Sequence, residues 1–250
     1  MNYPPVKIGV VLVGGKGIRL GWIGKFLPKS LVPIGQKPML YYIIKNLELM
    51  KITKIYLLAN YKKNLIKRYL AEEKEFKKMN FLFLHSQPNH GLAQVIQKTQ
   101  RFIKKPFVVF LGDDLTICPK ISQFPKEGLQ KKAIAQEAVI SENNSNILSQ
   151  TCEVFFDRKG KILKATEKPQ KPTSKYRGCG LYFFRPQVFE YIRKTPTSRK
   201  TGKKEITDTI NLIAKDGKAL AWLVDGININ VNTQEDLTKA VKYLFANGQE

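Results

Sequence analysis

Val10-Val11-Leu12-Val13-Gly14-Gly15-Lys16-Gly17-Ile18-Arg19-Leu20, running on to Leu27-Pro28-Lys29-Ser30-Leu31-Val32-Pro33, is the stretch on which the reading of this chain turns. Its opening residues are apolar and mostly β-branched, the pattern of a strand buried on both faces. The run breaks into glycines, which tolerate positive φ and let backbone N–H groups come close to a ligand. Beyond the break stand Arg19 and Lys29, past the carboxyl end of the strand, the edge at which open α/β sheets bind ligands. A basic surface turn after a strand has the same composition. Two phosphate motifs are excluded. Leu20 stands where the dinucleotide pattern G-x-G-x-x-G needs its third glycine, and Gly24-Lys25 runs into Phe26 rather than the Ser or Thr of a P-loop.

At 250 residues the chain is enough for one large domain or two small ones. We expect a single domain over 1–250, with the pattern changing after Thr116. A hydrophobic fraction of 43% and a charged fraction of 25% are ordinary for a soluble core. No apolar run reaches transmembrane length, and Met1 to Pro5 lacks the apolar core of a signal peptide. Three cysteines, Cys118, Cys152 and Cys179, are an odd number without metal-type spacing, which predicts a reduced, cytoplasmic protein. The net charge of +23 would suit nucleic acid, an anionic membrane or polyphosphate substrates. Its lysines are scattered in pairs such as Lys62-Lys63 and Lys131-Lys132, without interleaved aromatics. The charge therefore reads as solvated surface, with neither membrane nor nucleic acid expected as a partner; a homo-oligomer stays open.

Strand and helix patterns alternate through the first half: a helix from Lys37 to Met50, a strand from Lys54 to Ala59, a strand from Asn80 to Leu84, a helix from Leu92 to Ile103 and a strand from Phe107 to Leu111. Such alternation predicts a parallel sheet with right-handed crossovers. Later, Lys120 to Lys132 reads as turn-rich and Ser141 to Ser149 as a polar loop. Strands are predicted at 133–140, 151–156, 161–167 and 178–184, a helix from Pro186, and helices at 206–216 and 234–244. The basic segment from Arg193 to Lys204 reads as a mobile loop, and Asp225-Gly226 as a hairpin turn.

Four further segments carry chemistry. Gln87-Pro88-Asn89-His90-Gly91-Leu92-Ala93-Gln94 lies between a strand and a helix, and its amides offer both donor and acceptor to a base edge. His90 reads as an exposed turn residue. Asp113, after Gly112 at the end of a buried strand, can hold Mg2+, which prefers oxygen ligands and bridges phosphates; the other use of such an Asp is to cap a turn. Glu167-Lys168-Pro169 suits a polyol bearing a phosphate, although a Glu-Lys pair is usually surface. Glu205-Ile206-Thr207-Asp208 opens a helix, where the macrodipole also favours acidic residues.

Taken in order, Leu-x-Gly-Gly-x-Gly-x-Arg-Leu, Pro-Lys-x-Leu-x-Pro, Lys37-Pro38-Met39, Gly112-Asp113, Glu-Lys-Pro, Gly180-Leu181-Tyr182 and Glu205-Ile206-Thr207-Asp208 resemble the sugar-1-phosphate nucleotidyltransferases, in particular the glucose-1-phosphate thymidylyltransferase and uridylyltransferase group. The resemblance runs from about Lys7 to Leu244 and implies a nucleotide-binding half at about 1–116 and a sugar-binding half at about 117–250. It implies a Rossmann-like nucleotidyltransferase fold of the glycosyltransferase-A type, with a mostly parallel central sheet flanked by helices. It also implies an enzyme that makes an NDP-sugar and pyrophosphate from an NTP, dTTP or UTP favoured, and a sugar 1-phosphate, glucose 1-phosphate favoured. Leu12, Gly14, Gly15, Gly17, Arg19, Gln87 and Gly91 would then contact the nucleotide, and Gly112, Glu167, Lys168, Gly180 and Glu205 the sugar phosphate. Arg19, Lys29, Asp113 and Lys168 would carry the chemistry. Mg2+ would sit on Asp113 with Asn230 or Asn232, the counterparts of the family's late metal ligand; Asp225 competes for that role. Three departures are visible. Ile18 replaces the usual Thr or Ser, the Gln87 segment is one residue shorter, and Thr151-Cys152 replaces Tyr-Gly. The alternatives are a nucleotidyltransferase using a non-sugar phosphate such as phosphocholine, or a catalytically silent sensor or nucleic-acid-binding protein on the same fold.

Overall fold

The buried run at Val10 becomes the middle of a sheet because it is covered on both faces. The computed structural model describes residues 4–86 and 90–248; the expectation for Gln87 lies outside them. The first half contains β1 (Ile8–Leu12), α1 (Trp22–Phe26), two short strands β2 (Pro33–Ile34) and β3 (Lys37–Pro38), α2 (Met39–Leu49), β4 (Lys54–Ala59), α3 (Lys63–Glu72), β5 (Asn80–His85), α4 (Leu92–Gln97), β6 (Phe107–Leu111) and β7 (Asp114–Ile117). The second half adds α5 (Phe124–Gln130), β8 (Ala135–Ser141), α6 (Ser145–Gln150), β9 (Cys152–Phe156), β10 (Ile162–Glu167), β11 (Tyr176–Phe184), α7 (Val188–Lys194), α8 (Ile206–Lys215), β12 (Ala219–Leu223), β13 (Ile227–Asn230) and α9 (Gln234–Ala246).

One nine-stranded sheet carries both halves. β5, β4, β1 and β6 are parallel neighbours in that order. β11 runs antiparallel between β6 and β8, and β12 is parallel to β8. In that row β11 alone opposes the rest, so the sheet is mostly parallel, as predicted. β9 and β10 form a hairpin that joins β11 at Glu153 opposite Arg177. A two-stranded ribbon of β7 and β13 rises from the end of β6.

Alternate side chains of each central strand enter opposite faces. Val11, Leu57, Val108, Phe110 and Leu181 meet α2, α3, α5 and α9 on one side. Val10, Tyr56, Val109, Tyr182 and Phe184 meet α4, α7 and α8 on the other. No helix among the described residues is long and apolar enough to cross a membrane.

Several local expectations are corrected. The helix predicted from Leu92 to Ile103 stops at Gln97, because the Thr99 amide and hydroxyl both donate to the Ile96 carbonyl, 2.9 and 2.8 Å, and close a tight turn. The turn-rich segment contains α5, which buries Phe124 and Leu129 and carries Pro in its first turn. The polar loop contains α6, capped by the Asn144 side chain accepting from Asn146 N. Asp225-Gly226 is no hairpin turn: β12 pairs with β8 and β13 with β7, so these residues cross between two sheets. Gly226 passes so close to the Ile117 carbonyl oxygen that a Cβ would lie 2.1 Å from it. The basic segment folds back on itself, Ser198 N donating to Lys203 O and Gly202 N to Ser198 O, both at 2.8 Å.

Phe110 is fully buried at the middle of β6, between β1 and β11. Phe110→Ala should cost about 3–5 kcal/mol of unfolding free energy, read as a lower urea midpoint at unchanged slope.

Candidate active site

Four parallel strands end on one edge, and the glycine loop forms its floor. Val13 N donates to Leu58 O and Gly112 N to Leu12 O, both at 3.0 Å, so the ends of β1, β4 and β6 are tied backbone to backbone. Gly112 has no room for a side chain: a Cβ would lie 2.4 Å from the Leu12 oxygen. Gly17 adopts φ +69°, and α1 turns back so tightly that a Cβ on Gly24 would lie 2.2 Å from the Gly17 oxygen. Lys29 N donates to Gly15 O at 3.1 Å, which returns Lys29 to the loop. Between these ends lies a cavity of about 360 Å³. Leu12, Gly14, Gly15, Lys29, Gly112 and Asp113 line it, with Asn60, Ser86, His90 and Val95 on the other wall.

At the cavity's mouth the charged groups converge. The Lys29 ammonium donates to Asp113 Oδ2 and to Asn232 Oδ1, each at 2.6 Å, and Arg19 Nη2 donates to the same Asn232 oxygen at 2.7 Å. Asn232 Nδ2 in turn donates to Asn230 Oδ1. Residues 84 to 213 positions apart in the chain thus share one cluster. Lys29 is only 8% exposed, so its charge is held against Asp113 largely out of water. Asp114, next to Asp113, is 3% exposed and points inward. Burial, and then the Asp113 charge, hold its carboxyl well above the usual range. Asp225 takes no part in the cluster; its carboxylate pairs with Lys120 at 2.7 Å. Ile18 is 78% exposed.

A second polar cluster lies where β8, β9, β10 and α8 meet. Glu167 and Cys152 are cross-strand partners, and the Thr207 hydroxyl donates to Glu167 Oε2 at 3.0 Å. Burial raises the Glu167 carboxyl above its ordinary range. Lys168 takes the left-handed φ of +46°, uncommon for a side chain of this kind, while its N–H donates to Thr151 O at 2.8 Å. The Lys200 ammonium donates to the Lys168 carbonyl, and Thr201 Oγ1 donates to Glu205 Oε1 at 2.8 Å, so the basic segment rests on this cluster. Gly180 has φ +62°, and its missing Cβ leaves space that Asp114 Oδ2 occupies, 2.1 Å from where a Cβ would be. Gly91 lies beneath the backbone of Lys204, whose oxygen would be 2.1 Å from a Cβ there, and Ala93 N donates to that oxygen at 3.3 Å.

Sequence comparison agrees with this geometry. The nucleotidyl transferase family profile matches residues 8–242. The chain belongs to that family. Its similarity extends to sugar-1-phosphate nucleotidyltransferases along almost its whole length. It is 30% identical, over 94% of its residues and 80% of the relative, to a glucose-1-phosphate thymidylyltransferase of Xanthomonas campestris. It is 26% identical to the UTP–glucose-1-phosphate uridylyltransferase AglF of Haloferax volcanii, covering 94% of this chain and 95% of that one. A bifunctional protein GlmU of Methanocaldococcus jannaschii is 30% identical over 94% of this chain, which spans 54% of that longer protein. Among solved structures, a candidate glucose-1-phosphate thymidylyltransferase of Bacillus anthracis, in complex with sucrose, superposes with a TM-score of 0.84 at 27% identity, covering 94% of each chain. A UDP-glucose pyrophosphorylase bound to UDP-glucose shares the fold, with a TM-score of 0.86 at 21% identity over 97% of this chain and 99% of that one.

Within this family frame, the tertiary structure adds residues that the motifs do not reveal. His90 is no exposed turn residue; it lines the cavity, half-buried, with Nδ1 buried and without a partner among the described residues. Glu137 on β8 is 1% exposed, and among the described residues neither of its carboxyl oxygens has a hydrogen-bond partner of good geometry. Burial, then the nearby Glu167 charge, push Glu137 up from 4.5 to about 8; the Tyr182 hydroxyl opposes the shift. A signal was present in the sequence, since Gln136-Glu137 interrupts an otherwise apolar strand. Because its folded pKa is raised, Glu137 favours the folded state fully below about pH 4.5, and that contribution is lost as pH rises through about 8. Glu137→Gln, which keeps the shape but cannot ionise, should therefore raise Tm relative to the parent more at pH 8 than at pH 5, as scanning calorimetry at the two pH values would measure.

Proposed function

We propose that this chain joins an NTP, dTTP or UTP foremost, to a sugar 1-phosphate, glucose 1-phosphate foremost, and releases pyrophosphate. The observation that carries the reading is the convergence of Arg19, Lys29 and Asp113 at the mouth of a cavity built on the carboxyl ends of parallel strands. A phosphate oxygen of the sugar phosphate attacks the α-phosphorus; the bond from that phosphorus to the oxygen bridging to the β-phosphate breaks, and pyrophosphate leaves with the electron pair. The nucleophile is already anionic, so no general base is needed. The protein's work is positioning and charge neutralisation. Backbone N–H groups of Gly14, Gly15 and Gly17 would face the triphosphate, Arg19 and Lys29 would offset its charge, and Leu12 and the segment after β5 would flank the base. On the acceptor side, Glu167 and Glu205 would accept from sugar hydroxyls and Lys168 would meet the sugar's phosphate.

The donor set also suits a magnesium ion that arrives with phosphates. Among the described residues no three acidic, His or Cys side chains gather as a ligand set. Asp113 Oδ2 and Asn232 Oδ1 nevertheless share one cation, the Lys29 ammonium, and one carboxylate with an amide oxygen is a normal protein contribution when phosphates complete the shell. When bound, the ion would add charge neutralisation at the α-phosphate. A second acceptor class, a phosphate ester with a cationic group such as phosphocholine, is favoured by one feature: the Glu205 charge bears on Glu167 and the Glu167 charge on Glu137, so acidic groups gather on this side.

Pyrophosphate release should appear with Mg2+, dTTP or UTP and glucose 1-phosphate. A panel of five nucleotides, sugar phosphates and phosphocholine that gave no turnover would remove this reading. Arg19→Ala should lower kcat by roughly a hundredfold, as loss of a preorganised charge-stabilising donor does elsewhere. Glu167→Gln should act chiefly on KM for the sugar phosphate and leave KM for the nucleotide unchanged.

A further inference from the structure

Exposed apolar side chains are ordinary when scattered and informative when they gather. Ile18, Trp22 and Phe26 follow one another at four-residue steps and are 78%, 67% and 66% exposed. Gly21 N donates to the Ile18 carbonyl at 3.2 Å, so the turn that carries Ile18 leads directly into α1. Trp22 and Phe26 are one helical turn apart on α1, with ring centroids 6.4 Å apart, and share a face. Ile23 takes the other face and packs against the core. The helix is fastened from behind. The Tyr61 hydroxyl donates to the Gly24 and Lys25 carbonyls, both at 3.2 Å, and the Lys62 ammonium to the Lys25 and Phe26 carbonyls at 2.6 and 2.8 Å. Both aromatics are thereby held outward.

Positive charge frames this face. Lys16, Arg19 and Lys25 are exposed in the same stretch, and Lys62 joins them from the start of α3. No acidic residue occurs before Glu48, and none between Glu48 and Glu72. Acids reach this side with α9: Gln234 Nε2 lies 3.0 Å from where a Cβ on Gly21 would be, and Glu235 follows it. Asp236 is engaged there by the Asn232 and Thr233 amides at 3.0 and 2.9 Å. A second copy of this chain would bring the same positive charge against the face, and like charges in contact repel. A nucleic acid would offer bases for the aromatics to stack on, but no apolar phase for Ile18. An anionic lipid surface meets both demands, because its headgroups attract lysines and its interface admits Trp and aliphatic side chains. We propose that Ile18, Trp22 and Phe26, with the lysines around them, form a docking surface for an anionic phospholipid membrane. The inference is independent of the reaction proposed above. Arg19, between Ile18 and Trp22, reaches Asn232 at the cavity's mouth, so docking would hold that mouth close to the lipid. The sequence reading put the charge down to solvated surface; the fold gathers lysines from two segments around two exposed aromatics.

The test is sedimentation of the full chain with vesicles of phosphatidylcholine, alone or with roughly one-third phosphatidylglycerol, at about 0.1 M salt. The anionic vesicles should bind at least about tenfold more tightly than the neutral ones, and the difference should shrink as salt rises. The double variant Trp22→Ser, Phe26→Ser should lose about tenfold or more of the affinity for anionic vesicles. Its Tm should stay at the parent value, because both side chains are exposed. The chain has two tryptophans, and Trp222 is only 7% exposed, so a blue shift of emission on adding vesicles reports Trp22. That shift should persist in Trp222→Phe and vanish in Trp22→Phe, which should still sediment. Binding that ignores lipid charge, a folded double variant that binds as the parent does, or a Trp22 emission that vesicles leave unshifted would each overturn the proposal. A protein that ignores vesicles but forms a dimer, or holds an RNA or DNA probe, and loses that partner in the double variant would overturn it as well and give the face to that partner. None of these outcomes depends on turnover, so a failed assay for pyrophosphate release would leave the docking surface standing.

Discussion

The contact between the Leu12 carbonyl and the Gly112 amide, 3.0 Å apart with no space for a Cβ, is the constraint on which the site depends. It locks the ends of β1 and β6 together at the point where both strands leave the sheet. One strand turns into the glycine loop and the other into Asp113, so backbone amides and a carboxylate emerge side by side. A larger residue at 112 would separate the strand ends and with them Lys29 from Asp113. The close approach also explains why the crevice at this sheet edge stays open: the chain departs in opposite directions, as at the switch points where α/β proteins bind ligands.

The second support is the ribbon of β7 and β13. Arg177, buried, donates to the side chain and the carbonyl of Asn228, both at 2.6 Å. Asn228 Nδ2 donates to Thr116 Oγ1 at 2.9 Å, and Asn46 donates to the Thr116 carbonyl at 2.8 Å. A buried guanidinium fully engaged in this way fixes geometry, and losing one partner would leave a costly unpaired charge. The network fastens the ribbon to β11 and α2, and the ribbon delivers Asn230 and Asn232 to Asp113. The polar interior around the site thus serves placement, while Arg19, Lys29 and Asp113 meet at the cavity's mouth.

The second polar cluster is organised differently. Its acidic groups are sunk in the sheet, and Asn211 substitutes for a strand partner by bonding both the N–H and the carbonyl of Ala165 at 2.8 Å. Cys118, Cys152 and Cys179 are all free thiols. Burial, with Glu137 and Glu167 nearby, raises Cys152 well above its ordinary value, which keeps the thiol protonated and unreactive.

What the sequence determined by itself is local and periodic. The apolar runs at Val10, Lys54 and Phe107 predicted parallel strands because a strand covered on both faces must be apolar throughout. The glycines and the ordered motifs pointed to the strand-end edge where the cavity lies, because glycine spacing and charge type are properties of neighbouring residues. Helix ends and sheet partners were harder: Asp225-Gly226 looks like a hairpin turn, yet its flanking strands belong to different sheets. Glu137, His90 and the joining of Asn232 to Arg19, Lys29 and Asp113 were decided only by tertiary structure. Each depends on which distant segment lies across from it, and on whether water or protein fills the remaining space. A residue's burial and hydrogen-bond partners, and hence its proton affinity and the direction of an amide, are set by neighbours that the chain brings together only when it folds.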